Sequence, residues 1–173
     1  MNKSKLQKIN LRKIKQEDNL NAFTSYEQDL VEFLREDALT NQQKGISVTF
    51  LFHYNNNLVS YITLLIDRID LKGNLRSFYK DKEITYSSLP ALKIGRLCVD
   101  NNHLRKGLGR YMVRIAIILA KKIMNNIAGC RFLTVDAKNN DSVLRFYKKC
   151  GFKILRNNKN TISLYADLKL LEY

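Results

Sequence analysis

Ala91-Leu-Lys-Ile-Gly-Arg-Leu-Cys-Val99, followed by Asp100-Asn-Asn-His-Leu104-Arg105-Lys106-Gly107-Leu108-Gly109-Arg110, is the stretch from which the rest of the chain is organised. Its first part carries apolar side chains at Leu92, Ile94, Leu97 and Val99, the pattern of a buried strand, and Asp100-Asn101-Asn102 breaks it. Beyond the glycine-spaced loop, Leu108, Met112, Ile115, Leu119 and Ile123 recur at helical spacing. Ile117, Ile118 and Ala120 widen that stripe, as in a helix packed on a sheet. A helix N-terminus leaves backbone N–H groups unpaired and carries partial positive charge, so it receives phosphate. Glycines let the main chain approach such an anion, and Arg105, Lys106 and Arg110 add cationic groups. Gly-x-Gly on its own also serves as a plain connection, and a nucleotide-binding loop looks much the same. A dinucleotide-binding loop wants a third glycine, and Walker A wants Gly-Lys-Ser/Thr; neither is present here.

Upstream of that stretch, Ile9, Leu11 and Ile14 alternate as a short strand inside a basic segment holding Lys3, Lys5, Lys8, Arg12, Lys13 and Lys15. Ser25 to Lys44 is predicted helical, capped by Ser25 or Thr24 and stopped by Gly45. Ser47 to His53 and Leu58 to Ile66 are strands joined by an asparagine turn. Residues 68–88, polar and mixed, are expected to form a loop or surface flap. Downstream, Phe132 to Val135 is a strand and Asn140 to Cys150 a short helix stopped by Gly151. Phe152 to Leu155 and Thr161 to Tyr165 make a closing hairpin. The order of elements gives an α/β protein with a mixed sheet, and residues 1–173 are taken as one domain.

The totals bound the function. No run approaches the ~18 apolar residues of a membrane span, and the basic N-terminus lacks an apolar stretch behind it, which points to a cytoplasmic protein without membrane partners. Cys98, Cys130 and Cys150 form no close-spaced pair, so they are expected as small buried hydrophobes rather than a disulfide or metal set. His53 and His103 have no sequence context of a catalytic triad. The net charge of +14 suits a polyanionic partner, although the joint abundance of lysine, asparagine and isoleucine is also what an AT-rich genome produces.

Two blocks in order resemble the GNAT (GCN5-related N-acetyltransferase) superfamily. The first is Arg96-Leu-Cys-Val-Asp100 with Leu104-Arg-Lys-Gly-Leu-Gly109, in which Leu104 stands where the family has Gln or Arg. The second is Asn140-Asp-Ser-Val-Leu-Arg-Phe-Tyr147-Lys-Lys-Cys-Gly151-Phe152, with Val143 in place of a small residue. Phe33 to Leu39, Gln42 to Phe52 and Leu89 to Asp100 further resemble the GNAT toxins of toxin–antitoxin pairs.

The resemblance implies the GNAT fold, a mixed, mostly antiparallel twisted sheet flanked by helices, and acetyl-CoA as co-substrate with no metal. It implies a coenzyme site made of Leu104, Arg105, Lys106, Gly107, Leu108, Gly109 and Arg110. Main-chain N–H groups of Leu97, Cys98 and Val99 would polarise the thioester carbonyl. Tyr147 would be the general acid for the departing thiolate, with Phe146 as the better core candidate of the two. Asn140 would hydrogen-bond the pantetheine arm or cap its own helix. The Ala91–Val99 strand offers no carboxylate base before Asp100. Three acceptor readings stay open. The amine belongs to aminoacyl-tRNA, with Lys3–Lys15, Arg110, Arg114 and Lys121 as phosphate contacts and an antitoxin protein as partner. Alternatively it belongs to a protein or small molecule, or the chain is an inactive nucleic-acid-binding module. A homodimer is also open.

Overall fold

The computed structural model describes residues 9–171, apart from the side chain of Ile9; Lys3, Lys5 and Lys8 of the basic segment lie outside them. The strands are β1 (Ile9–Lys13), β2 (Val48–Tyr54), β3 (Asn57–Asp70), β4 (Ser88–Val99), β5 (Phe132–Lys138), β6 (Lys153–Asn157) and β7 (Thr161–Asp167). They lie in one sheet in the order β1-β2-β3-β4-β5-β7-β6. β4 and β5 pair in parallel, whereas β1–β2, β2–β3, β5–β7 and β6–β7 are antiparallel. The mixed, mostly antiparallel α/β architecture is as expected. Two compact units are evident, Met1–Leu65 with Gly95–Met112 and Ile66–Ile94 with Val113–Tyr173.

In the first unit, β2 and β3 are joined through Asn55 and Asn56, both at positive φ (48° and 65°). Asparagine tolerates that region better than most residues, so the Asn run works as a turn. Ile14, Phe23, Val31, Leu34, Ala38, Leu51, Tyr61 and Cys98 form a buried cluster. The helical side of that cluster is α1 (Gln28–Glu32), a π-helical turn (Phe33–Asp37) and α2 (Ala38–Gln43). The helix therefore starts later than predicted. Its N-cap is Glu27 without a side-chain cap bond. The Ser25 hydroxyl accepts from the Glu27 N–H (3.2 Å), and Thr24 is engaged elsewhere.

In the second unit, the expected loop over 68–88 survives only in part: the end of β3, helix α3 (Gly73–Lys80) and the start of β4 take up most of it, and 81–87 stays irregular. The helix escapes a periodicity search because its apolar content is thin and embedded among basic residues. Its anchor is Tyr79, buried with its ring edge-on to Phe132 at 5.5 Å. The Tyr79 hydroxyl donates to Asp167, whose carboxylate also accepts two bonds from Arg131 (2.8 and 2.9 Å). Burial first, and the bond to Asp167 second, push the Tyr79 phenol up.

Helix α4 (Leu108–Asn126) begins between the two loop glycines, but its buried line differs from the predicted one. Met112, Val113, Ala116, Ile117 and Ala120 are buried; Leu108, Ile115, Leu119 and Ile123 are half-buried, and Ile118 is exposed. The buried line thus includes the small side chains Ala116 and Ala120. All three cysteines are buried, and no disulfide joins them.

Candidate active site

β4 pairs with β5 only from Ala91↔Phe132 to Ile94↔Val135, yet β4 continues to Val99 and β5 to Lys138. The main chain of Leu97, Cys98 and Val99 lies in the part of β4 beyond that ladder. Burial pushes the Cys98 thiol up, which keeps it protonated and unsuited to nucleophilic work.

Asp100 terminates β4 and organises the turn into the glycine loop. Its buried carboxylate accepts from the Thr24 N–H (2.9 Å), the Thr24 hydroxyl (3.1 Å) and the Asn102 N–H (3.0 Å). His103 Nδ1 lies 3.1 Å from the same carboxylate. Burial alone would raise this group, but the hydrogen bonds outweigh it and hold the carboxyl below its ordinary value. In the sequence Asp100 reads as a strand breaker and as the end of the first family block. Asp-x-Asn is a recognisable turn signal; nothing in the sequence points to Thr24.

Within the loop, Arg105 and Gly107 both take positive φ (58° and 82°). No heavy atom lies within 4 Å of the place a Gly107 Cβ would occupy, so the residue is required by its backbone conformation and leaves the main chain open to an approaching group. The Tyr111 N–H donates to the Gly107 carbonyl (3.0 Å), closing the first turn of α4. The Lys106 ammonium donates to the Asn102 carbonyl (2.9 Å), which fixes it across the loop, while Arg105 and Arg110 are exposed. Leu104 points an exposed, apolar side chain outward and supplies no donor. Exposed guanidinium groups, open backbone and the start of a long helix fit a polyphosphate-bearing co-substrate.

The second unit carries the other predicted residues. The Asn140 side chain accepts from the Val143 N–H (2.9 Å) and from the Ser142 hydroxyl (3.0 Å), so of its two readings the helix cap is realised. It starts α5 (Asp141–Lys149), which delivers Tyr147. Here the inward residue is Tyr147, buried, whereas Phe146 is half-buried; the expectation that Phe146 would be the core partner is corrected. The Tyr147 ring meets Phe146 and Phe152 edge-on, at centroid separations of 4.9 and 5.4 Å. These two contacts, one from its own helix and one from beyond Gly151, decide the direction of the side chain. Burial raises the phenol, so it is fully protonated at neutral pH.

Asp136 on β5 accepts from Lys93 (2.6 Å) and from the Ser163 hydroxyl (2.6 Å). Burial opposes ionisation, but these bonds prevail and keep the carboxyl low, which makes Asp136 a poor base. The Lys121 ammonium donates to the Leu171 carbonyl (3.1 Å). Among the described residues no three His, Cys, Asp or Glu side chains gather where they could hold a metal ion. Among them, too, no helix is long and apolar enough to cross a membrane.

The sequence profile of the acetyltransferase (GNAT) family matches residues 9–152, and the chain belongs to that family. It is thereby an acetyltransferase. A tRNA-acetylating toxin of Mycobacterium tuberculosis is 29% identical over 146 residues, covering 83% of each chain. The fold is shared with AtaT complexed with acetyl-methionyl-tRNAfMet (TM-score 0.78, 21% identity, 94% of this chain and 96% of that one). It is shared also with a tyrosine-to-phenylalanine mutant of AtaT bound to the C-terminus of the antitoxin AtaR and acetyl-CoA (TM-score 0.73, 18% identity, 94% of each chain).

Proposed function

We propose that this chain transfers the acetyl group of acetyl-CoA to the amino group of an aminoacyl-tRNA, acting as a cytoplasmic toxin held in check by a partner antitoxin. The observation that carries this reading is the likeness to a tRNA-acetylating toxin over 83% of each chain. The exposed guanidinium groups of the loop and the net charge of +14 support it, since tRNA and coenzyme A are both polyanions. The family match runs through both compact units, which supports their acting as one domain.

When bound, acetyl-CoA supplies the acyl group as a thioester. Arg105, Arg110 and the N–H groups from Gly107 to Gly109 hold its pyrophosphate, and Lys106 is anchored beside them. Backbone N–H groups of Leu97, Cys98 and Val99 donate to the carbonyl oxygen where negative charge develops. As the amine nitrogen bonds the acyl carbon and the C–S bond breaks, the Tyr147 hydroxyl, kept protonated by burial, would give its proton to the leaving sulfur. Asn140 acts by capping α5 and so fixing the Tyr147 backbone. Holding amine and thioester together contributes much of the rate without an enzyme nucleophile.

Labelled acetyl-CoA offered to a charged-tRNA pool beside a panel of polyamines and peptide N-termini tests this. Label is expected in the tRNA fraction, with tRNA retention falling steeply as salt rises. Label confined to the amine or peptide arms refutes the tRNA acceptor and leaves the acetyltransferase assignment standing.

A further inference from the structure

The acyl-transfer residues leave one large feature of the second unit unused. A groove of about 930 Å³ runs between α3 with the end of β3 on one side and β6, β7 and Leu170–Leu171 on the other. It is lined by four cations, Arg68, Lys72, Lys153 and Arg156, and by two carboxylates, Asp70 and Asp167. Both carboxylates already have cations of their own: Asp70 lies 3.5 Å from Arg68, and Asp167 is held by Arg131. Lys72, Lys153 and Arg156 enter no ion pair among the described residues, so the groove presents an excess of positive charge.

Its apolar side chains are also unusually exposed. Phe78, Ile154 and Leu170 are 43%, 47% and 49% exposed. A nucleic-acid backbone needs cations without such a floor, whereas an amphipathic peptide uses both. β6 is the last strand of the sheet among the described residues, so one row of its N–H and C=O groups has no ladder partner. Four consecutive residues, Lys153 to Arg156, line the groove, as happens when the open edge of a strand, rather than one of its faces, borders the space. Pairing of two copies edge to edge is opposed by the like charges of Lys153 and Arg156 on that edge.

We propose that this groove binds an extended acidic peptide segment, its main chain paired to β6, its carboxylates met by Lys72, Lys153 and Arg156, and its apolar side chains on Phe78 and Ile154. The acyl-transfer site takes no part in this binding.

The test uses the full chain and a fluorescein-labelled peptide of alternating glutamate and leucine. Fluorescence anisotropy is expected to saturate, with the β6 amides gaining hydrogen-exchange protection. Lys153→Glu with Arg156→Glu is expected to weaken binding at least about tenfold, because like charges then face the probe. Should the double variant melt early, Arg156→Gln and the exchange pattern of the unmodified chain decide. Failure to saturate, equal binding by wild type and charge-reversed chain, or equal binding of a lysine–leucine peptide overturns the proposal. So does an oligonucleotide that protects the β6 amides where the peptide does not, or a concentration-dependent dimer in sedimentation that buries β6.

Discussion

The Asp100 carboxylate takes both the backbone N–H and the hydroxyl of Thr24, at 2.9 and 3.1 Å, joining residues 76 apart in the chain. The same carboxylate caps the turn that opens the glycine loop. Asp100→Asn replaces an acceptor of several donors by a group that meets at least one of them with an N–H of its own. A loss of about 1–3 kcal/mol in stability is expected, with a raised KM for acetyl-CoA. Because the folded carboxyl lies below its ordinary value, its contribution is complete above the unfolded pKa and fades as pH falls through the folded one. Melting curves of wild type and variant should therefore stay apart at neutral pH and converge below about pH 4. A gap that persists in acid would show that the carboxylate charge is not what holds the turn.

Tyr147→Phe separates chemistry from packing. The ring contacts to Phe146 and Phe152 survive the change, so stability should move by less than about 1 kcal/mol. If the phenol delivers the proton, kcat falls by roughly 10²–10⁴ while acetyl-CoA affinity holds. A kcat within a few-fold of wild type would remove Tyr147 from the reaction.

Gly107→Ala and Gly151→Ala make a matched pair, since both glycines have positive φ (82° and 87°). Each alanine should cost about 1–2 kcal/mol through the left-handed backbone. At Gly151 the new Cβ also meets Leu171 Cδ2 at 2.7 Å, a flexible side-chain end. Only Gly107→Ala should raise the KM for acetyl-CoA. An equal KM effect in both would mean that the loop matters through stability alone.

The cluster at Asp167 offers a purely structural control. Asp167→Asn leaves the part-buried Arg131 without its carboxylate and should lower stability by on the order of 2 kcal/mol. Tyr79→Phe removes one hydroxyl bond and should cost about 1 kcal/mol. Chemical denaturation measures both, and because the two residues touch, the double variant should lose less than the sum. Strict additivity would show that the Tyr79–Asp167 contact carries no coupling.

Elements whose information is local were legible in the sequence. The β2–β3 hairpin follows from alternation around an Asn turn, the start of α4 from Gly107 and Gly109, and the end of α5 from Gly151. Asn140 offers two roles in sequence, and the structure shows the cap among them. What failed depends on partners distant in the chain. Thr24 reads as a helix cap until Asp100 takes its hydroxyl. Helix α3 reads as a polar loop until Phe132 gives Tyr79 a surface to cover. Phe146 outranks Tyr147 on hydrophobicity alone, and the order reverses because Phe152 comes back against the tyrosine. The acceptor base has no sequence signal, and the β5 carboxylate, Asp136, is tied to Lys93.

Arg105 stands at φ 58°, where a side chain is a burden and glycine would be at ease. Replacing it by glycine should make the chain up to about 1 kcal/mol more stable, and at the same stroke strip a guanidinium from the loop. If Arg105 holds the coenzyme, selection for heat resistance and selection for turnover pull this position in opposite directions. A library screened only for thermal survival would drift toward Arg105→Gly and return well-folded, slow enzymes.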